Sequence, residues 1–282
     1  MSSTPARELL TGGYHNDVWR VRDGKRWLVD KQYLRNDPRS PNPMYPQLPD
    51  HEAAALQFLS GSGIAPDFIS FSPATAAERA AVRYRFVPGR PWRRGVGDVA
   101  RALAHVHQLD DPPPLRALLL SGAEARAHGD AMLAETPSAL ARSLRRLRPH
   151  DAPHDHPQRT ALVHTDCGPG NVLRTDNGIV IIDWQCPGVG DPVEDVACFL
   201  SPAMMVLYGC EPHGPGARQT FKAAYGNPAV IVRYAEHGLG WHYRIAAYCV
   251  WRVHRLQRSN PTVAERYRRA LECELTLLEQ RP

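Results

Sequence analysis

LVHTDCGPGNVLRTDNGIVIID, residues Leu162 to Asp183, decides how the rest of the chain is read. Two short apolar runs, Leu162-Val163 and Ile179 to Ile182, flank a loop rich in Gly, Pro and Asp. Short apolar runs bounded by turn residues are the pattern of buried strands. Between and after them stand three oxygen-bearing side chains in the order His164-x-Asp166-x-x-x-x-Asn171, with Asp183 closing the second run. One carboxylate and one amide oxygen suit a hard divalent cation, which prefers oxygen ligands. A further carboxylate, Asp166, is left to orient a hydroxyl and take its proton. His164 is expected to fix the loop by hydrogen bonding rather than to act as the base.

Upstream the chain alternates between strand and turn signals. Val18 to Val21 and Trp27 to Tyr33 predict two strands joined at Asp23-Gly24. Before them, Thr11-Gly12-Gly13-Tyr14-His15-Asn16 is a turn whose paired glycines would let backbone amides approach an anion without a Cβ in the way. Lys31 sits inside the second strand, and Glu52 in the helix-patterned segment HEAAALQFLS. Five prolines between Arg35 and Asp50 forbid continuous helix or central strand, so 35–50 is expected to be a surface loop, either a lid or an idle insertion. Phe68 to Phe71 and Ala81 to Val87 predict further strands, and Arg85 to Gly89 a hinge.

From Val96 the period becomes helical, with Val99, Leu103, Val106 and Leu109 on one face. His105 and His107 are read as capping or packing residues. Leu115 to Leu147 is expected to form helices broken near Gly122 and Pro137, with Arg142, Arg145, Arg146 and Arg148 on a solvated face. Asp151 to His156 reads as a solvated linker. In Gly190-Asp191-Pro192-Val193-Glu194-Asp195, Asp191 is a candidate N-cap, Glu194 a capping-box partner, and Asp195 a brace for the central loop through its backbone amides. Ser201 to Pro282 looks helical, with loops near Gly209 to Gly216 and Gly226 to Pro228. Trp241, Ile245, Tyr248 and Arg252 share a stripe, read as core or as a stacking site for a cationic or sugar ligand. The elements sum to an α+β chain.

Bulk properties exclude several classes. The 282 residues, 43% hydrophobic and 22% charged, are those of an ordinary globular chain with room for a large core. The net charge is +5, and the basic residues are nearly all Arg; Lys25, Lys31 and Lys222 are the lysines. The arginines are scattered rather than gathered with aromatics, so no nucleic-acid partner is expected. The six cysteines form no C-x-x-C pair, which points to free thiols in a reducing cytoplasm. The start MSSTPARELL carries no apolar core of a signal peptide, and no run approaches the roughly 18 apolar residues of a membrane span.

H-x-D-x-x-x-x-N followed by I-I-D, with a strand Lys and a helix Glu upstream, resembles the aminoglycoside phosphotransferase/choline kinase family, the small-molecule branch of the kinase-like fold. HTDCGPGNVL and IIDWQCPGVGDPVEDVA carry the resemblance most specifically; it extends from Thr11 to about Pro202 and fades beyond. It implies a bilobal protein-kinase-like fold. An antiparallel sheet with one helix would form a nucleotide-binding lobe over 1–88, and a larger, mainly helical lobe over 89–282 would carry catalysis and acceptor binding. It implies ATP and Mg²⁺ as cofactors and a small-molecule hydroxyl as acceptor. Asp166 would be the catalytic base, Asn171 and Asp183 the metal ligands, and Lys31, paired with Glu52, the phosphate-binding cation. Gly13, Tyr14 and Asn16 would approach the nucleotide from the turn, and the backbone of Arg85 and Val87 would meet its base.

Two departures stand out. Trp184-Gln185 replaces the Phe-Gly of protein kinases, and only seven residues separate Asp183 from Asp191, too few for a protein-kinase activation segment. The acceptor side lacks the dense acidic cluster a polycationic aminoglycoside would want. The competing readings are a nucleotide-binding regulatory module without turnover and a kinase of sugars attached to protein.

Overall fold

The first structured unit follows from a strand buried on both faces. In the computed structural model, which describes residues 7–12, 16–34, 42–150 and 156–280, β1 (Arg7–Gly12), β2 (Asn16–Asp23), β3 (Arg26–Tyr33), β4 (Phe68–Ser72) and β5 (Ala81–Arg85) form an antiparallel sheet in the order β1-β2-β3-β5-β4. Central β3 packs on both sides, so its alternate residues serve two surfaces. Lys31 and Tyr33 reach α1 (Pro49–Leu59), while Asp30 on the opposite face meets Arg83. The link between β2 and β3 is Gly24-Lys25, with Gly24 at φ +56, a conformation that a side chain would resist. Strand β1 was not foreseen, because its residues include Arg7 and Glu8 and lack an apolar alternation.

Residues 42–50 depart from the expected surface loop. Pro49 and Asp50 already belong to α1, and Met44 is buried. The Asn42 side chain caps its own turn by accepting from the amides of Met44 and Tyr45, and the Leu48 amide bonds the Gln185 carbonyl. The segment is therefore seated against the second half of the chain. Residues 35–41 and 151–155, with the prolines and histidines noted in them, lie outside the described residues.

After β6 (Arg90–Pro91) come α2 (Val96–Gln108), α3 (Gly122–Ala134) and α4 (Ala139–Arg146). The predicted α2 face is buried at Val99, Leu103 and Val106. Gly122 begins a helix rather than breaking one, with Ser121 capping it through the Glu124 amide. β7 (Ala161–Val163), β8 (Val172–Thr175), β9 (Gly178–Ile181) and β10 (Gly188–Gly190) then frame the central loop: β6-β8-β9 form one small sheet and β10-β7 another. The stretch 162–183 is thus three strands around a 3₁₀ turn at Pro169–Asn171, where two strands had been expected.

The remaining helices are α5 (Val193–Leu200), α6 (Pro202–Leu207), α7 (Pro215–Tyr225), α8 (Pro228–Leu256) and α9 (Pro261–Glu279). α8 runs through the middle of this part, against α3, α5 and α9. Trp241, Ile245 and Tyr248 are all buried along it, so most of the aromatic stripe is core. Two buried ion pairs hold α8 to the start of α5: Arg233 Nε to Asp191 Oδ2 at 2.6 Å, and Arg244 Nη1 to Glu194 Oε1 at 2.6 Å. The expected capping box is therefore not formed. Asp191 does accept from the Val193 amide, but Glu194 is turned to Arg244 instead. Glu274 of α9 takes three donors from other helices: His242, the Ser201 hydroxyl and the Ala203 amide. Among the described residues, all six cysteines are free thiols and no helix is long and apolar enough to cross a membrane.

α3 meets α8 where two glycines face each other. A Cβ on Gly240 would stand 2.4 Å from the carbonyl oxygen of Gly122 and 2.8 Å from its Cα, so backbone would have to move. Gly240→Ala is expected to lower unfolding stability by about 1–3 kcal/mol in a denaturant titration, whereas Gly216→Ala, with nothing within 4 Å, should leave it unchanged or slightly higher.

Candidate active site

The site begins with one carboxylate that sees no water. Asp195, on α5, is fully buried and takes the amide protons of His164 and Thr165, each at 2.8 Å, one on each oxygen. His107 of α2 adds its Nε2 at 3.1 Å and is held in turn by the Tyr225 hydroxyl on Nδ1. A buried charge is tolerated only where donors surround it; here two of the donors are the backbone of the loop. That pins the loop in a conformation it would not choose. Thr165 has φ +70, which a β-branched residue rarely adopts, and its hydroxyl is tied to the Cys186 carbonyl at 2.9 Å. The expected brace by Asp195 is present, with His107, read from sequence as a capping or packing residue, completing it.

His164 fixes the loop from within. Its Nδ1 accepts from the Asp166 amide at 3.2 Å and its Nε2 faces the Ile182 carbonyl at 3.0 Å. Nδ1 as acceptor leaves the proton on Nε2, so the ring is a neutral connector between the strand ends. Burial holds its pKa below the usual histidine value, and Trp184 packs its ring edge-on at 4.6 Å. A histidine with both nitrogens engaged has no lone pair to offer a ligand, consistent with the structural role read for it.

Asp166 and Asn171 meet across the 3₁₀ turn. The Asn171 amide nitrogen donates to the Asp166 carbonyl at 2.7 Å and to its carboxylate at 3.3 Å. That orientation leaves the Asn171 amide oxygen without a hydrogen-bond donor among the described residues. The Asn171 carbonyl accepts from the Ile182 amide at 2.9 Å, which sets Asn171 beside the chain leading into Asp183. Asp183, at φ +64, aims its carboxylate at Lys31, with Oδ1 2.5 Å from Nζ. Lys31 also meets Glu52 at 3.0 Å, and Tyr33 donates to the other Glu52 oxygen. Burial alone would depress the Lys31 ammonium, but Asp183 and Glu52 outweigh it and hold its pKa well above the ordinary value. Burial, followed by the Asp183 charge, holds the Asp166 carboxyl well above the usual carboxylate range.

Lys31, Glu52, Asp166, Asn171 and Asp183 are therefore one cluster. Asn16 adjoins it, donating to the Gln185 side chain at 2.8 Å while its own amide oxygen is buried without a donor among the described residues. Arg85 and Val87 stand apart: Lys31 is opposite Val82 and Leu28 opposite Arg85, so Arg85 is about 10 Å along the ladder. Gly13 and Tyr14 lie outside the described residues.

The structure also shows why the loop glycines are needed. A Cβ on Gly168 would come within 2.5 Å of the Tyr208 ring, and one on Gly170 within 2.1 Å. The ring of Tyr208, from the end of α6, lies flat on the loop backbone, and only glycine admits it. Tyr208, Gln185 and His107 were not singled out in the sequence as site residues, because their signal is proximity in space rather than spacing in the chain. Among the described residues, no group of three or more His, Cys, Asp or Glu side chains is arranged to hold a metal ion.

A model of the phosphotransferase enzyme family, APH, matches residues 7–237. Comparison with curated proteins returns no match. Among solved structures, the chain is similar to a choline/ethanolamine kinase family protein from Mesorhizobium loti (TM-score 0.61, 18% identity, 100% of this chain and 90% of that one). It is also similar to a choline kinase from Streptococcus pneumoniae (TM-score 0.62, 15% identity, 96% and 94%). A spectinomycin phosphotransferase solved with ADP and spectinomycin gives a TM-score of 0.60 at 14% identity over 98% and 93% of the two chains. The architecture is thus the bilobal protein-kinase-like fold, an antiparallel sheet with one helix joined to a larger helical part.

The raised Asp166 value has a consequence for stability. The folded chain binds this proton more tightly than the unfolded chain, so ionisation of Asp166 destabilises the fold as pH climbs from the ordinary carboxylate value, about 4, through the raised one. Asp166→Asn removes that penalty. Its thermal midpoint should match the wild type near about pH 4 and exceed it at about pH 7; a lower midpoint at neutral pH would contradict the assignment.

Proposed function

The chain belongs to the phosphotransferase enzyme family, and on that premise we propose that it transfers the γ-phosphoryl group of ATP to a hydroxyl of a small molecule. The observation that carries this reading is the meeting of Lys31, from the sheet, with Asp183, from the segment after β9, beside the Asp166–Asn171 pair. Residues 1–88 would serve the nucleotide and residues 89–282 the acceptor, in a cytoplasmic enzyme.

Phosphoryl transfer asks a protein for positioning and for neutralisation of charge. Lys31 is the cation for the phosphates, and Glu52 holds its side chain toward the cleft. Asn16, whose amide oxygen has no donor among the described residues, adjoins the same space. Asp166 accepts the proton of the acceptor alcohol as the alcohol oxygen bonds to phosphorus and the bond from phosphorus to ADP breaks. Burial raises its pKa, which strengthens it as a base relative to an ordinary carboxylate.

The donor set fits magnesium. Asp183 offers a carboxylate and Asn171 an amide oxygen left free by its own hydrogen bonds, and Mg²⁺ is commonly held by one or two protein oxygens with the phosphates completing the shell. Bound there with the triphosphate, it would supply neutralisation of phosphate charge.

Asp166→Asn should lower ADP release by at least ~10²-fold while calorimetric binding of Mg-ATP is retained, since a positioned base contributes roughly 10²–10⁴. Turnover equal to the wild type would end the assignment. Lys31→Met, by contrast, should weaken nucleotide binding itself.

A further inference from the structure

Asp166 opens into a cavity of about 220 Å³ between α6, α8, α9 and the segment before α1. Four tyrosines line it: Tyr45, Tyr208, Tyr248 and Tyr267. Tyr45 meets Tyr248 edge-on at 5.1 Å, and Tyr248 meets Tyr267 edge-on at 6.1 Å. Asn42 donates to the Tyr248 hydroxyl at 2.8 Å and Tyr45 lines the cavity, so residues 42–45 form part of the wall. The volume falls below the roughly 300–1,000 Å³ of a drug-sized site, which suits one ring with a few substituents and not a multi-ring antibiotic.

Among the described residues the lining has one carboxylate, Asp166, against two guanidinium groups, Arg252 and Arg266. No carboxylate pairs with Arg252 among the described residues. Its carbon centre lies 5.2 Å over the Tyr267 ring and its side chain hydrogen-bonds Tyr267, while its Nε–H has no acceptor among the described residues. An aromatic face is where a quaternary ammonium would sit, and on Tyr267 the guanidinium already occupies it. With Arg252 and Arg266 lining the cavity against the single carboxylate of Asp166, the lining favours an anionic group on the ligand over a cationic one.

We propose that the acceptor is a compact alcohol built on a flat apolar ring and bearing a carboxylate, the ring lying among the tyrosines, the carboxylate on Arg252 with Arg266 at the rim, and the hydroxyl turned to Asp166. This rests on the phosphotransfer reading for the identity of the reacting group, but the recognition chemistry stands on the cavity. Burial keeps the phenols of Tyr45, Tyr248 and Tyr267 protonated far above neutral pH, so they remain uncharged donors to such a ligand.

The test is a matched series of benzyl alcohols carrying, at the 3- or 4-position, a carboxylate, a methyl or a trimethylammonium group. Binding is read by calorimetry on the full chain without nucleotide, and ADP release is read separately. The carboxylates should bind about tenfold or more tightly than the methyl compounds, with the ammonium compounds weakest. Arg252→Met should collapse the carboxylate-to-methyl ratio toward one, and Arg266→Gln should reduce it in part. Ammonium compounds binding as well as carboxylates would overturn the proposal. So would no member binding, or a ratio that survives in an Arg252→Met protein whose circular dichroism is native. Carboxylate binding that depends on Arg252 without ADP release would uphold the recognition site and count against phosphotransfer alone.

Discussion

A single carboxylate without access to water organises this molecule. Asp195 can be buried only because donors surround it, and most of those donors are the amides of the loop it holds. The solution to a desolvation problem is therefore also the device that shapes the site. α5 supplies the carboxylate and α2 supplies His107, so the loop is registered against two helices at once. The strained backbone at Thr165 persists because these bonds over-determine it. The side chains of Asp166 and Asn171 then inherit their positions from a brace that need never touch a substrate.

The parts of the fold that could be read from the chain are those governed by local rules. The β2–β3 hairpin, the apolar face of α2 and the helix after Pro192 all rest on turn chemistry and periodicity. The cluster of Lys31, Glu52, Asp166, Asn171 and Asp183 was legible because a recurring spacing stood in for distance. What escaped was long-range. Glu194 looks like a capping-box residue until Arg244, fifty positions later, draws its carboxylate away. The stretch before α1 looks like a solvated loop because prolines forbid regular structure, yet proline does not forbid burial, and Met44 is buried. β1 escaped because an edge strand with charged residues carries little apolar pattern.

The two halves of the cleft obey different constraints. On the side of Lys31 one ammonium is shared by the carboxylates of Glu52 and Asp183, so each of these groups is held by a named partner. On the tyrosine side the lining is drawn from α6, α8, α9 and the segment before α1, four separate parts of the chain that can change independently. The long helix α8 serves both tasks, with Trp241 and Ile245 in the core and Tyr248 and Arg252 at the cavity.

The Tyr208 ring lying on Gly168 and Gly170 links the two halves in a way that bears on how such an enzyme could diversify. Its ring lines the cavity beside Asp166 and at the same time packs on the loop, so a change of this side chain would disturb both. Drift in specificity would have to pass through positions such as 45, 252 or 267, leaving this tyrosine and its two glycines as a hereditary unit. A directed-evolution library that randomises the pocket wall while holding those three constant would explore ligands without dismantling the machinery underneath.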